Sequence, residues 1–210
     1  MKEKGNIPEI LRRLKKEYPG ARTALRFGTP FELLAATILS AQATDALVNK
    51  VTAELFRKYR SVKDYAEAPL ETLQNDVRSI NFYKTKAKNI QACARTIMEK
   101  FGGTVPKTME ELVTLPGVAR KTANIILSNA FGINEGIAVD THVKRLALRL
   151  GLTRHEDPVK IERDLMALTP QKEWGTLSHL LIFHGRNVCL ARNPKHETCV
   201  LSDICPSKNL

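Results

Sequence analysis

The chain has 210 residues, 43% of them hydrophobic and 26% charged, and its 33 Lys and Arg exceed its 22 Asp and Glu by 11. That length buries a core in one large domain or two small ones, while no apolar run approaches the roughly 20 residues that span a bilayer. The composition reads as a soluble globular protein with no membrane role, whose excess positive charge makes a polyanion its natural partner.

The opening Met1 to Gly5 is charged and passes directly into an amphipathic pattern, without the apolar middle of a secretory signal, so an intracellular, cytoplasmic location is expected. Ile7, Ile10, Leu11, Leu14 and Tyr18 keep the helical period until Pro19-Gly20 ends the run. Thr29-Pro30-Phe31-Glu32 combines an N-cap, a proline at the first helical position and a capping-box Glu, and predicts a helix through Leu39. A third helix starts at Thr44 or Asp45 and runs to about Tyr59, shorter ones cover 62 to 67 and 70 to 79, and a long one runs from about Lys84 to Lys100 before Gly102-Gly103. Thr108 to Glu111 forms another capping box whose helix reaches about Thr114 and is broken by Leu115-Pro116-Gly117. Helical periodicity resumes at Arg120 and stops at Gly132. Asp140, Asp157-Pro158 and Lys172 open the remaining helices, which end near 150, 168 and 187. No alternating strand pattern occurs, so the expected fold is all-α, about ten helices joined by short loops.

Three features carry chemistry. The glycine turn at 115 to 119, between a short helix and a longer one, exposes backbone N–H groups backed by the dipole of the second helix. That arrangement suits one phosphate of a DNA strand, read without regard to base sequence, although a plain helix corner fits the same residues. Asp140 precedes Thr141-His142-Val143 as an N-cap, a role worth about 1 kcal/mol. On the residues alone the cap is the favoured reading, and it leaves room for a second role of the same carboxylate. Three of the four cysteines, Cys189, Cys199 and Cys205, cluster in the last 22 residues, which points to a metal or cluster site rather than a disulfide framework.

The run Leu115 to Gly132, the Val139 to Val143 segment, Ser40 to Asp45, Phe82 to Ala87 and His184-Gly185-Arg186 together resemble, in order and over nearly the whole chain, the motifs of the endonuclease III family. The resemblance implies a two-domain helix-hairpin-helix DNA glycosylase fold with a C-terminal iron–sulfur-type loop. A helical barrel domain would cover 23–134, and 1–22 with 135–210 would form the second. It implies a base excision repair enzyme that acts, as a monomer in the cytoplasm with the nucleoid, on damaged double-stranded DNA. Such an enzyme removes oxidised pyrimidines and cleaves the abasic site by β-elimination. Lys121 would be the nucleophile that forms a Schiff base at C1′, and Asp140 the carboxylate that assists. Spacing alone leaves Lys121 as one of many solvated basic residues.

The hairpin residues Leu115, Gly117, Ala119 and Arg120 would bind DNA. Gln42 and an apolar wedge at or next to Phe82 would fill the gap left by a flipped base; read without the family, they are a polar loop residue and a core aromatic. Arg192 and Lys195 would contact phosphates. The family's four cluster cysteines are spaced by six, two and five residues, and here the second position is His196, between Cys189 and the pair Cys199 and Cys205. A [4Fe–4S] cluster with one imidazole ligand, zinc, and no metal at all are the alternatives for this set. A second departure is Ala119, where the family commonly has glycine; alanine suits that position if the helix begins there. A monofunctional mismatch glycosylase and a non-catalytic DNA-binding module are the competing readings of the whole chain.

Overall fold

The computed structural model describes residues 6–208; the charged Met1 to Gly5 segment lies outside them. Among the described residues all regular structure is helical, and the chain divides into two compact units. One unit runs from Thr23 to Ile133, and the other joins the segment up to Arg22 with the chain from Asn134 onward.

The Thr23 to Ile133 unit is built around α2 (Pro30–Ser40), in which Phe31 and every residue from Leu33 to Leu39 are buried. A helix apolar on all sides must be surrounded, and α2 packs against α3 (Asp45–Lys58), α6 (Tyr83–Phe101) and α8 (Arg120–Ala130). Its start follows the sequence signal: Thr29 Oγ1 accepts from Glu32 N at 3.2 Å while the Glu32 carboxylate accepts from Thr29 N. The short α4 (Val62–Glu67), capped reciprocally by Ser61 and Asp64, and α5 (Leu70–Asp76) pack on α6, and α7 (Met109–Leu112) packs on α8.

α5 ends three residues before the expected 79. Asp76 is drawn to α3, where Lys58 and Tyr59 donate to its carboxylate at 2.7 to 2.9 Å. The chain then turns to bury Val77 and Ile80, a tertiary gain that outweighs extending the helix.

In the second unit α1 (Ile7–Glu17) lays Ile7, Ile10, Leu11 and Leu14 into a core shared with α9 (Thr141–Arg149), α10 (Pro158–Leu168) and α11 (Trp174–Asn187). α11 packs against both α9 and α1. The helix expected from Lys172 begins at Trp174, preceded by a single 3-10 turn over Gln171–Glu173. No helix among the described residues is long and apolar enough to cross a membrane.

Candidate functional site

The Leu115 to Arg120 hairpin is anchored by the side chains of Leu115 and Val118, both buried, and closed by a hydrogen bond from Val118 N to Leu115 O at 3.0 Å. Gly117 has φ +79, and a Cβ there would sit 3.0 Å from Cβ and Nδ2 of Asn89. Both the backbone conformation and the approach of α6 therefore demand glycine. Ala119 precedes α8 in extended conformation, φ −91, so alanine carries no backbone strain there. The N-cap residue Ala119 offers no side-chain cap to α8 and the first turn holds no acid, so no carboxylate of that turn offsets the positive end of the helix dipole. Lys121, on the first turn of α8, is exposed.

Gln42 and Phe82 share an uncommon backbone state. Both have left-handed φ, +55 and +58, and both are exposed, Phe82 to 65%. Phe82 is thus no core aromatic. The segments that carry these residues meet: Asn81 Nδ2 donates to Gln42 O at 3.1 Å, and the buried Lys86 Nζ donates to Leu39 O at 2.8 Å and Ala41 O at 2.5 Å. Burial lowers the Lys86 pKa from its ordinary value, but the carbonyls at the end of α2 offer the ammonium favourable partners. Asn81 and Lys86 escaped the sequence reading because nothing local links them to residues some forty positions earlier.

In the other unit, Asp140 Oδ1 accepts from His142 N and Val143 N, each at 2.8 Å. Oδ2 accepts no hydrogen bond among the described residues. One oxygen caps α9 and the other stays available. Burial lowers the pKa of His142, against the neighbouring Asp140 carboxylate, which raises it. The imidazole Nδ1 lies 3.2 Å from Arg145 Nη2, which donates to Gly185 O and Cys189 O at 2.8 and 2.9 Å. A side chain at Gly185 would meet Arg145 and His142 at 3.0 Å, the packing reason for glycine in the His184-Gly185-Arg186 segment.

Cys189, His196, Cys199 and Cys205 all line one pocket after α11, with Arg149, His184 and Lys195. The three cysteines are unbridged thiols. His196 Nε2 is buried without a hydrogen-bond partner, the condition of a nitrogen that lacks its ligand. Arg149 Nη1 donates to Cys189 Sγ at 3.3 Å and to Leu190 O at 2.7 Å, placing positive charge beside the sulfur. His184 Nε2 stands 3.3 Å from Cys199 Sγ and its Nδ1 3.1 Å from Tyr18 Oη. Burial holds the imidazole near pKa 4 and pushes the Tyr18 hydroxyl up to about 12. A phenol that donates to Nδ1 leaves Nε2–H to donate to the sulfur. Burial raises the Cys199 and Cys205 thiols, an effect that coordination to a metal reverses.

Among the described residues no three such donors converge on a point that would hold a single ion. Around zinc, sulfurs at bonds of about 2.3 Å stand within roughly 4 Å of one another. A cluster separates its ligands because each binds a different iron, and three sulfurs with one unpaired imidazole around a pocket fit that group better than zinc.

Hairpin and helical scaffold define a helix-hairpin-helix protein of base excision DNA repair, and the model of the HhH-GPD superfamily base excision DNA repair proteins matches residues 35–171. The iron–sulfur binding domain of endonuclease III matches residues 189–205. The chain is 54% identical to endonuclease III of Synechocystis sp. over 98% of its own length and 94% of the relative's, and 50% identical to that of Bacillus subtilis over 90% and 86%. A solved structure of a trapped endonuclease III–DNA covalent intermediate superposes with TM-score 0.91 at 47% identity, covering 96% of this chain and 95% of the other. The chain belongs to the endonuclease III family. It is a DNA glycosylase and abasic-site lyase of base excision repair, and its C-terminal loop is the family's [4Fe–4S] loop, with His196 where the family spacing has its second cysteine.

Proposed function

We propose that the chain excises oxidised pyrimidines from double-stranded DNA and nicks the resulting abasic site through a Schiff base on Lys121. The observation that carries this reading is the hairpin. Gly117 turns the chain at left-handed φ just before α8, whose N-cap residue Ala119 offers no side-chain cap, and Lys121 lies in the first turn of that helix. Phosphate bound by Leu115 to Arg120 would register the strand without reading its sequence.

The neutral Lys121 amine attacks C1′, the C1′–N bond breaks and the base leaves with its electron pair, taking a proton. The amine sheds one proton, its lone pair then opens the sugar by breaking the C1′–O4′ bond, O4′ takes a proton, and the C1′=N bond of the protonated Schiff base forms. Removal of a proton from C2′ then expels the 3′ phosphate, and water releases the enzyme. Asp140 Oδ2 faces the cationic character at the sugar and assists proton transfer, while Oδ1 keeps the cap. Gln42 and Phe82 occupy the space vacated by the flipped nucleotide.

Cys189, His196, Cys199 and Cys205 hold the cluster, which when bound cross-links the loop and adds its binding energy to folding. The loop in turn presents Arg192 and Lys195 to phosphates. The hairpin-bearing unit serves as the barrel domain and the other unit as the cluster domain, of a monomer that works in the cytoplasm with the nucleoid.

Borohydride reduction on duplex DNA bearing one oxidised pyrimidine tests the proposal. A covalent adduct with the wild type and none with Lys121→Gln supports it. Base release without any adduct would instead establish a monofunctional glycosylase.

A further inference from the structure

Gln42 and Phe82 are non-glycine residues held at left-handed φ, a state that persists only where the surroundings impose it and that concentrates at functional sites. Nothing intrinsic to glutamine or phenylalanine favours it. What imposes it on Gln42 is visible. Ala43 N donates to Ser40 O at 3.1 Å and closes the turn. Its outward carbonyls are then gripped from the start of α6: Ala41 O by Lys86 Nζ and Gln42 O by Asn81 Nδ2. Asn81 is the residue immediately before Phe82, and Lys86 N donates to Phe82 O at 3.1 Å. One short stretch of chain therefore supports Phe82 and holds the backbone of Gln42.

We infer that Asn81 and Lys86 are positioning residues that join Gln42 and Phe82 into one preorganised probe, which enters the duplex as a unit when a nucleotide is flipped. This rests on the proposed role of Gln42 and Phe82 as gap fillers. The two side chains must reach the DNA together, because either one alone leaves the stack open on one side. Independent loops would have to be ordered at the moment of insertion, and the bridge removes that cost beforehand. Asn81 is exposed, so its amide has water as an alternative partner and no burial reason to bond Gln42; the bond serves the geometry of the turn. Lys86 is buried without a carboxylate partner, and its ammonium bonds the carbonyl of Leu39 at the end of α2 and that of Ala41 in the Gln42 turn.

The test is a double-mutant cycle read by base flipping. Full-length wild type, Asn81→Ala, Gln42→Ala and the double variant are mixed with duplex DNA that carries 2-aminopurine beside the lesion, and the rate and amplitude of the fluorescence rise are followed. Asn81→Asp, which keeps the shape but loses the donor, serves as the second variant. The bridge predicts that Asn81→Ala and Asn81→Asp each slow flipping by about tenfold, equivalent to about 1.4 kcal/mol. Adding Asn81→Ala to Gln42→Ala should slow it no further, since a residue that acts through Gln42 has nothing left to position. Wild-type flipping in Asn81→Ala, or an equal loss in both backgrounds, overturns the inference. If Gln42→Ala itself flips normally, the gap-filling role fails and the bridge fails with it. That outcome is distinct from the case in which Gln42 matters and Asn81 does not.

Discussion

Gly117→Ala separates what the hairpin does for the fold from what it does for DNA. At φ +79 an alanine pays about 1–2 kcal/mol of backbone strain, offset by roughly 0.5 kcal/mol because the unfolded chain loses freedom. The new Cβ also sits 3.0 Å from Asn89 Cβ, a contact that moving the flexible end of Asn89 does not relieve. Forcing that overlap apart adds about 1–3 kcal/mol, as overpacking does elsewhere, so the total loss should be about 1.5–4.5 kcal/mol.

Gly132→Ala is the matched control. Gly132 lies in the same unit at φ +68 with open space around its missing Cβ, so it pays the backbone strain alone. In urea denaturation the Gly117 variant should unfold at lower denaturant than the Gly132 variant, with an unchanged slope. In a binding titration with abasic-analogue duplex, Gly117→Ala should weaken affinity at least tenfold, the worth of one charge-assisted hydrogen bond to phosphate, and Gly132→Ala should bind as the wild type. Equal stability losses would refute the Asn89 contact, and undiminished affinity in Gly117→Ala would refute the phosphate role of the hairpin.

Asp140→Asn keeps a good N-cap, so melting should be nearly unchanged while single-turnover excision falls by roughly 10²–10⁴; Asp140→Ala should lose about 1 kcal/mol of stability as well. His196→Ala should lower iron and acid-labile sulfide per chain, whereas His196→Cys should retain both and shift the cluster potential downward, since imidazole ligands raise it; voltammetry and metal analysis check this. Arg192→Ala and Lys195→Ala should each flatten the plot of log K against log salt by about one unit, without changing lesion preference. Hydrogen bonds from Arg12 and Arg13 hold the Glu9 carboxyl down at about 2. Its contribution is therefore complete above the ordinary value of 4.5 and is lost as pH falls from there toward 2. Glu9→Gln should flatten the decline of melting temperature in that window.

The sequence by itself determined the helices wherever their ends are written locally. Thr29, Ser61, Thr108, Asp140 and Asp157 each accept a backbone N–H within three residues, and a cap made from neighbours needs no tertiary information. The hairpin glycine and the spacing of the C-terminal cysteines were legible for the same reason, whereas Lys121 stood out only through the family resemblance. Only the tertiary structure decided the rest. Asp76 stops α5 early because α3 claims its carboxylate. Phe82 reads as a core aromatic by residue type, yet it is exposed at left-handed φ, a conformation that tertiary contacts impose and that phenylalanine does not itself favour. Its neighbour Asn81 bonds a carbonyl 39 positions away in the chain, and His184 is set against Cys199 by a tyrosine 166 positions before it. Such contacts depend on which surfaces the cores bring together, and no periodicity or cap in the chain records them.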